Sequence, residues 1–295
     1  MIDILDTRQL FIEVNETLEE RIAEFSFSIS DISAKSWAEQ IRTHFGINLS
    51  TQYSCPTPRQ FYLYLKDRIE ARGVFVQCFS NVPIETARGI AVYYNLLPII
   101  GINAADRPPA KSFSIIHELV HIINRSSSMC NDMYNSFTSS NEEVFCNAVA
   151  GEVLVPEEAL KIVLQPFRNR VLSVEIIEQI AKQFCVSKEV IIRRLLDITP
   201  AYISKIEYQT FADEFLRRIE QEKADAKQAR AEGRAQMVYS SPSRDSVDKT
   251  SIALSRSFLY GYGDGVFSKQ DIARYLGIAQ RHVDKYLQEV ASWNR

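Results

Sequence analysis

Long apolar runs, a cysteine framework and an excess of charge of either sign are all missing from this sequence. No segment approaches the length a membrane span requires. The stretch MIDILDTRQLFIEVNETLEE carries acids where a signal peptide needs a basic start and an unbroken apolar core, so a soluble cytoplasmic chain is expected. The 5 cysteines, at positions 55, 78, 130, 146 and 185, are odd in number and form no Cys-x-x-Cys pair. That argues against both a disulfide scaffold and a zinc knuckle, and fits a reducing compartment. A formal net charge of -3 does not suit a protein that coats nucleic acid or membrane by bulk electrostatics, so any nucleic-acid contact must be local. No long internal repeat is visible. What is present is 295 residues at 46% hydrophobic content, enough for a substantial core in one large domain or two to three modest ones.

Residues 1–60 read as a helical N-terminal region. Its segments are TLEERIAEF, then SAKSWAEQIRTHFGI with a serine cap and a stop at Gly46. Residues 61–165 form the expected core. The helix PRQFYLYLKDRIEARG leads into three β-rich runs, GVFVQCFS, RGIAVYYN and PIIGIN, which suggest a small antiparallel meander. Pro108 and Pro109 then open a helix that runs to about Asn124. RSSSMCNDMYNSFTSS reads as a loop, and NEEVFCNAVAGEVLV as a helix ended by Pro156. Residues 166–295 read as a helical C-terminal region: a pair broken near Cys185, then a long charged helix from Tyr208. A loop at 240–250 follows, and a helix-turn-helix-like segment at 267–290 has Ala273, Gly277 and Val283 in place.

Histidine is scarce, 4 in the chain, yet His117 and His121 stand within one turn of each other in FSIIHELVHIINRS. Four residues apart on a helix, they project from one face and can meet the same ion. Ser114, His117, Glu118, His121 and Asn124 make a polar stripe on a helix that is otherwise apolar, as expected for a buried helix with one face on a cleft. The spacing is H-E-x-x-H, in which the histidines bind zinc and the glutamate beside the first works on water. A catalytic zinc needs a third protein ligand, and the next helix offers Glu142 and Glu143. Glu143 is favoured because it pairs with Asn147 at i and i+4, and Ala148, Ala150 and Gly151 permit close helix approach. The bland alternative is a pair of satisfied core histidines followed by acids that favour a helix N-terminus.

These residues resemble the ImmA/IrrE metallo-endopeptidases, bacterial zinc proteases that act on transcriptional regulators. KDRIEARGVFV, ARGIAV and LPIIGIN are similar to the family's lead helix and strands, AKSFSIIHELVHII to its metal helix, and EEVFCNAVAGEVLVP to its second signature. That signature also selects Glu143, four residues before Asn147. The likeness covers roughly residues 60 to 290. It implies an α+β fold with a minimal zincin-like core, a small antiparallel sheet plus metal-binding helices, flanked by helical N-terminal and C-terminal regions. It also implies one Zn2+ per chain. Residues 1–60 lack the repressor-type helix-turn-helix with which many members begin, so a regulated repressor is expected as a separate chain. Lys111 stands where arginine is common and Cys146 where alanine is usual; neither change is expected to abolish metal binding.

The implied chemistry is hydrolysis of a peptide bond, with Glu118 moving the proton. Tyr134, Arg125, Tyr93 and Tyr94 are candidate donors to the oxyanion, and Asn147 and Ser114 are candidates to orient the ligands. RGIAVYYN or PIIGIN is expected to offer a strand edge to an extended peptide, and residues 125–140 to shape the cleft. Two other classes compete. One is a DNA-binding regulator using Arg274, Arg281, His282 and Lys285 on the 267–290 segment, for which a helical hairpin packed on the core is the plainer reading. The other is a peptidase-like scaffold that binds without cutting, against which an intact Glu118 counts.

Overall fold

The computed structural model of the chain describes residues 2–22, 24–126, 128–130, 141–168, 171–232 and 241–292. Helices α1 (Ile2–Thr17), α2 (Ala34–Phe45), α3 (Leu49–Ser54) and α4 (Pro58–Glu70) precede strands β1 (Phe75–Phe79), β2 (Gly89–Val92) and β3 (Ile99–Asn103). Helix α5 (Pro108–Ile123), strand β4 (Ser128–Cys130) and helix α6 (Asn141–Leu154) follow. The rest is helical: α7 (Glu157–Leu164), α8 (Val174–Phe184), α9 (Lys188–Asp197), α10 (Lys205–Ala231), α11 (Pro242–Lys249), α12 (Ile252–Gly263), α13 (Lys269–Leu276) and α14 (Val283–Ser292). This is an α+β architecture with a zincin-like core and helical flanks.

The sheet is mixed rather than an antiparallel meander. Its order is β1-β3-β2-β4, with β3 parallel to β1 and antiparallel to β2. The reason lies in β3, whose five residues are all buried. A strand covered on both faces belongs at the centre, so β3 inserts between its two predecessors. β4 then pairs with β2, Ile90 opposite Met129, within a stretch that composition marks as loop. Neither expected peptide-binding edge is therefore open: β3 is central, and β2 is flanked by β3 and β4.

Strand alternation divides the core in two. Val76, Cys78, Ala91, Ile100 and Ile102 face a cluster built with α2, α4, α5, α6, α8 and α9. Phe75, Phe79, Ile90 and Ile99 face a second cluster, made by α1 together with α11 through α14. Gly101 lies on that second face, where an added Cβ would meet Ile4 Cδ1 at 2.7 Å, so its bare backbone seats α1. The two ends of the chain thus share one apolar layer on the outer face of the sheet. The first cluster joins residues on both sides of positions 60 and 165, Trp37 and Phe184 among them.

Two local expectations fail for packing reasons. TLEERIAEF is not a helix: α1 ends at Thr17, and Glu24 bridges to Leu96. Its apolar residues have helical spacing but serve different layers, Leu18 and Ile22 the outer one and Phe25 the inner. The expected loop at 240–250 contains α11, with Ser241 capping, Pro242 in the first turn and Val247 buried. Ser246 Oγ donates to Pro242 O at 2.9 Å, so a serine-rich, loop-like composition is satisfied inside a helix.

A polar seam fastens this C-terminal layer to the core. Arg59 Nε donates to Asp248 Oδ2 at 2.7 Å, and buried Lys66 donates to Thr250 O at 2.5 Å. Glu70 accepts from the Val76 N–H at 3.1 Å and the Ala253 N–H at 3.0 Å, joining β1 to α12. No described helix is long and apolar enough to cross a membrane.

Candidate metal centre

Helix α5 begins on Pro108 and is buried on every side from Lys111 to Ile123, wedged between β2, β3, α4 and α6. Helix α6 carries Glu142 and Glu143 in its first turn. Its C-terminal end is held by side chains that take up otherwise orphaned carbonyls: Arg42 Nη1 donates to Val153 O at 2.6 Å, and Gln52 Nε2 to Leu154 O at 2.8 Å. Arg194 Nε reaches Val155 O at 3.0 Å and its guanidinium pairs with Glu152. A helix anchored in this way presents its first turn to α5 at a fixed height.

There the three predicted ligand residues come together. His117 Nε2 lies 3.3 Å from His121 Nε2 and 3.2 Å from Glu143 Oε2, and His121 Nε2 lies 3.3 Å from Glu143 Oε1. Bonds of about 2.0–2.1 Å at tetrahedral angles require ligand atoms about 3.4 Å apart. Two imidazole nitrogens, each with one Glu143 oxygen beside it, stand close to that spacing and could hold a zinc-type cation. His117 and His121 are 3% and 2% exposed, whereas the Glu143 side chain is 29% exposed, so solvent reaches the triad from the α6 side.

The electrostatics follow from this packing. Hydrogen bonds from His117 and then His121 hold the Glu143 carboxyl well below the usual carboxylate range, against the effect of burial. Burial alone pulls His121 down, but the Glu143 hydrogen bond and the charges of Glu118, Glu143 and Glu142 outweigh it, leaving the ring more basic than usual. Cys146 Sγ lies 3.9 Å from His121 Nδ1, on the side of the ring away from the triad. Burial, then the neighbouring carboxylates, push its thiol far up, so it packs as a neutral group.

Glu118 is fully buried beside the triad, with its carboxylate laid on β2: a Cβ at Gly89 would stand 2.4 Å from Glu118 Oε1. Glycine at the start of β2 is what lets the side chain lie there. On the far side of His121, Arg125 adopts a left-handed backbone (φ 56) that turns the chain back, and the Ser126 N–H donates to His121 O at 2.9 Å. Ser126 Oγ is then 3.1 Å from His121 Nδ1 and 2.9 Å from Glu142 Oε1. Sequence reasoning missed Gly89, Ser126 and the placement of Glu142. A glycine opening an otherwise apolar strand was the one available sign for the first.

The Tyr93 hydroxyl donates to Asn95 Oδ1 at 3.0 Å, and the Tyr94 ring lies 4.3 Å beneath the Arg8 guanidinium, so both are engaged with the β2–β3 turn and α1. Arg125 is exposed past the end of α5, and Tyr134 lies outside the described residues, as does most of the expected cleft loop. Ser114 is buried on α5, and Asn147 is half-buried on α6 one turn beyond Glu143, its Oδ1 without a hydrogen-bond partner among the described residues. Lys111 Nζ donates to Ala104 O at 2.9 Å, tying the start of α5 to the end of β3. In the C-terminal segment, α13, a left-handed Gly277 and α14 form the expected hairpin, with Ala273 and Val283 buried in the outer layer. Arg274 lies over its neighbour Tyr275, Arg281 bonds to His282, and Lys285 is exposed.

A buried helix offering two imidazoles, a carboxylate supplied by the helix packed on it, and a glutamate folded against a mixed sheet together describe a zincin-like core. Residues 78–196 match the family model for the IrrE N-terminal-like domain, Peptidase_M78. Among solved structures, a Mycobacterium tuberculosis transcriptional regulator is similar at 17% identity and a TM-score of 0.37. The match covers 63% of this chain and 51% of that one, so the chain spans about half of its length. No curated protein matches the chain.

Proposed function

We propose that this chain is a zinc-dependent endopeptidase, acting in the cytoplasm, that cleaves a repressor-type helix-turn-helix regulator made as a separate chain. Cleavage would relieve repression in a stress, toxin-antitoxin or mobile-element setting. The observation that carries the reading is the triad of His117, His121 and Glu143 at 3.2–3.3 Å spacing with Glu118 buried alongside. The metallopeptidase family model that residues 78–196 match supports the reaction class, and the resemblance to regulator-cleaving members supports the substrate class.

When bound, zinc supplies Lewis acidity toward a scissile carbonyl and toward water. The Nε2 atoms of His117 and His121 would hold the ion, and Glu143 would complete the protein ligand set. Glu118 takes the proton from the attacking water and passes it to the departing amine. Gly89 keeps its carboxylate in place, and the apolar circumference of α5 keeps the helix from rotating the stripe away from substrate.

The test is to incubate the purified chain, with one equivalent of zinc, with any repressor-like regulator encoded beside it and to identify fragments by mass spectrometry. A single defined cut, absent with Glu118→Gln, supports the proposal. An intact regulator, or cutting that Glu118→Gln leaves undiminished, overturns it.

A further inference from the structure

His121 has two ring nitrogens with two different jobs. Nε2 faces His117 and Glu143, while Nδ1 faces Ser126 Oγ at 3.1 Å, with Glu142 Oε1 3.5 Å away. A serine hydroxyl has one proton to give. Two oxygens compete for it, Glu142 Oε1 at 2.9 Å and His121 O at 3.3 Å, and the carboxylate is both nearer and charged. Glu142 is itself fixed by Asn124 Nδ2, which donates to the same oxygen at 3.2 Å. With its proton committed to Glu142, Ser126 Oγ can only accept from the ring. That places a hydrogen on Nδ1 and leaves the Nε2 lone pair directed at the triad, which is the tautomer a cation requires.

We infer that Ser126 and Glu142 are positioning residues for the metal: a Glu142–Ser126–His121 relay fixes the tautomer and orientation of His121 and thereby sets the affinity of the site. The inference rests on the reading of the triad as a metal site. The relay draws on separate features of the chain, the left-handed turn at Arg125 that returns Ser126 over His121 and the residue before the Glu143 ligand. The adjacent acids Glu142 and Glu143 thus divide the work, one addressing each nitrogen of the same imidazole.

The experiment measures zinc affinity of the full chain by competition with a chromophoric chelator for wild type, Ser126→Ala, Ser126→Thr and Glu142→Ala. The long-range 1H–15N correlation spectrum of the His121 ring is recorded alongside. Removing a group that orients a metal-bound histidine costs about 10- to 100-fold in affinity. Ser126→Ala and Glu142→Ala should each weaken zinc by about that factor with an unchanged thermal transition. Ser126→Thr, which keeps the hydroxyl, should restore most of it, and the wild-type ring should carry its proton on Nδ1. Affinity of both alanine variants within about twofold of wild type overturns the relay, as does a loss that threonine does not restore. A wild-type chain that binds no zinc overturns the metal reading itself, a different result from either of these.

Discussion

Substituting Gly89 by alanine adds one methyl group and removes no functional atom, yet it addresses directly the carboxylate of Glu118, the proposed proton carrier. The added Cβ would lie 2.4 Å from Glu118 Oε1, 2.9 Å from Cγ and 3.0 Å from Cδ. Restoring an ordinary separation of about 3.4 Å for the closest of these moves the carboxylate by about 1 Å. A displacement of that size in a reacting group costs on the order of 100-fold in rate. The backbone at Gly89 is an ordinary strand, not a left-handed turn, and the atoms in the way belong to a side chain that can rotate, so the fold should accept alanine. Gly89→Ala is therefore expected to lower kcat about 100-fold on a quenched-fluorescent peptide spanning the cleavage site, with zinc content and thermal midpoint close to wild type. Wild-type turnover by Gly89→Ala would refute the argument that strand β2 positions Glu118.

Glu118→Gln should retain zinc while losing cleavage by about 100-fold or more, because an amide cannot accept the proton; turnover within tenfold of wild type contradicts the assigned role. Zinc affinity should fall as pH drops. His121 must be neutral to bind, and its raised pKa in the metal-free chain means that protons compete from above the ordinary histidine value of 6.5 downward. Affinity flat between pH 7.5 and 5.5 in chelator competition would oppose this. Away from the site, burial lifts Glu70 from 4.5 to about 6 despite neighbouring Lys66. The native state then holds the extra proton between those values, so Glu70 contributes stability at low pH that is lost as pH rises through that window. The difference, about 2 kcal/mol, should appear in urea unfolding as wild type weakening relative to Glu70→Gln from pH 4.5 to 6. A pH-independent difference would mean that the carboxyl in the seam is not perturbed.

That His117, His121 and Glu143 come together was legible in the sequence because the requirements of the cluster are local or nearly so. His117 and His121 share a helix face by their spacing, and Glu143 follows on the next helix at a distance one chain reversal can span. The groups that tune the site were not legible, since each depends on a tertiary approach. Gly89 matters only because α5 crosses β2 at Glu118, and Ser126 only because Arg125 takes a left-handed turn. The sheet order was hidden for a related reason. The apolar runs of β1, β2 and β3 announce strands but not neighbours, and what centres β3 is cover on both faces, by α5 and its neighbours on the inner one and by helices from both ends of the chain on the outer one. Leu18, Ile22 and Phe25 show the limit of periodicity, because helical spacing also arises when a strap feeds two separate layers.

The claim on which the rest depends is that His117, His121 and Glu143 together hold one catalytic ion. Elemental analysis of the full chain after zinc loading and exhaustive dialysis, wild type beside Glu143→Ala, tests it most directly. About one zinc per wild-type chain and a large loss in the variant are expected, because two histidines alone leave the site a ligand short. No zinc in the wild type, or an equal amount in Glu143→Ala, would contradict it.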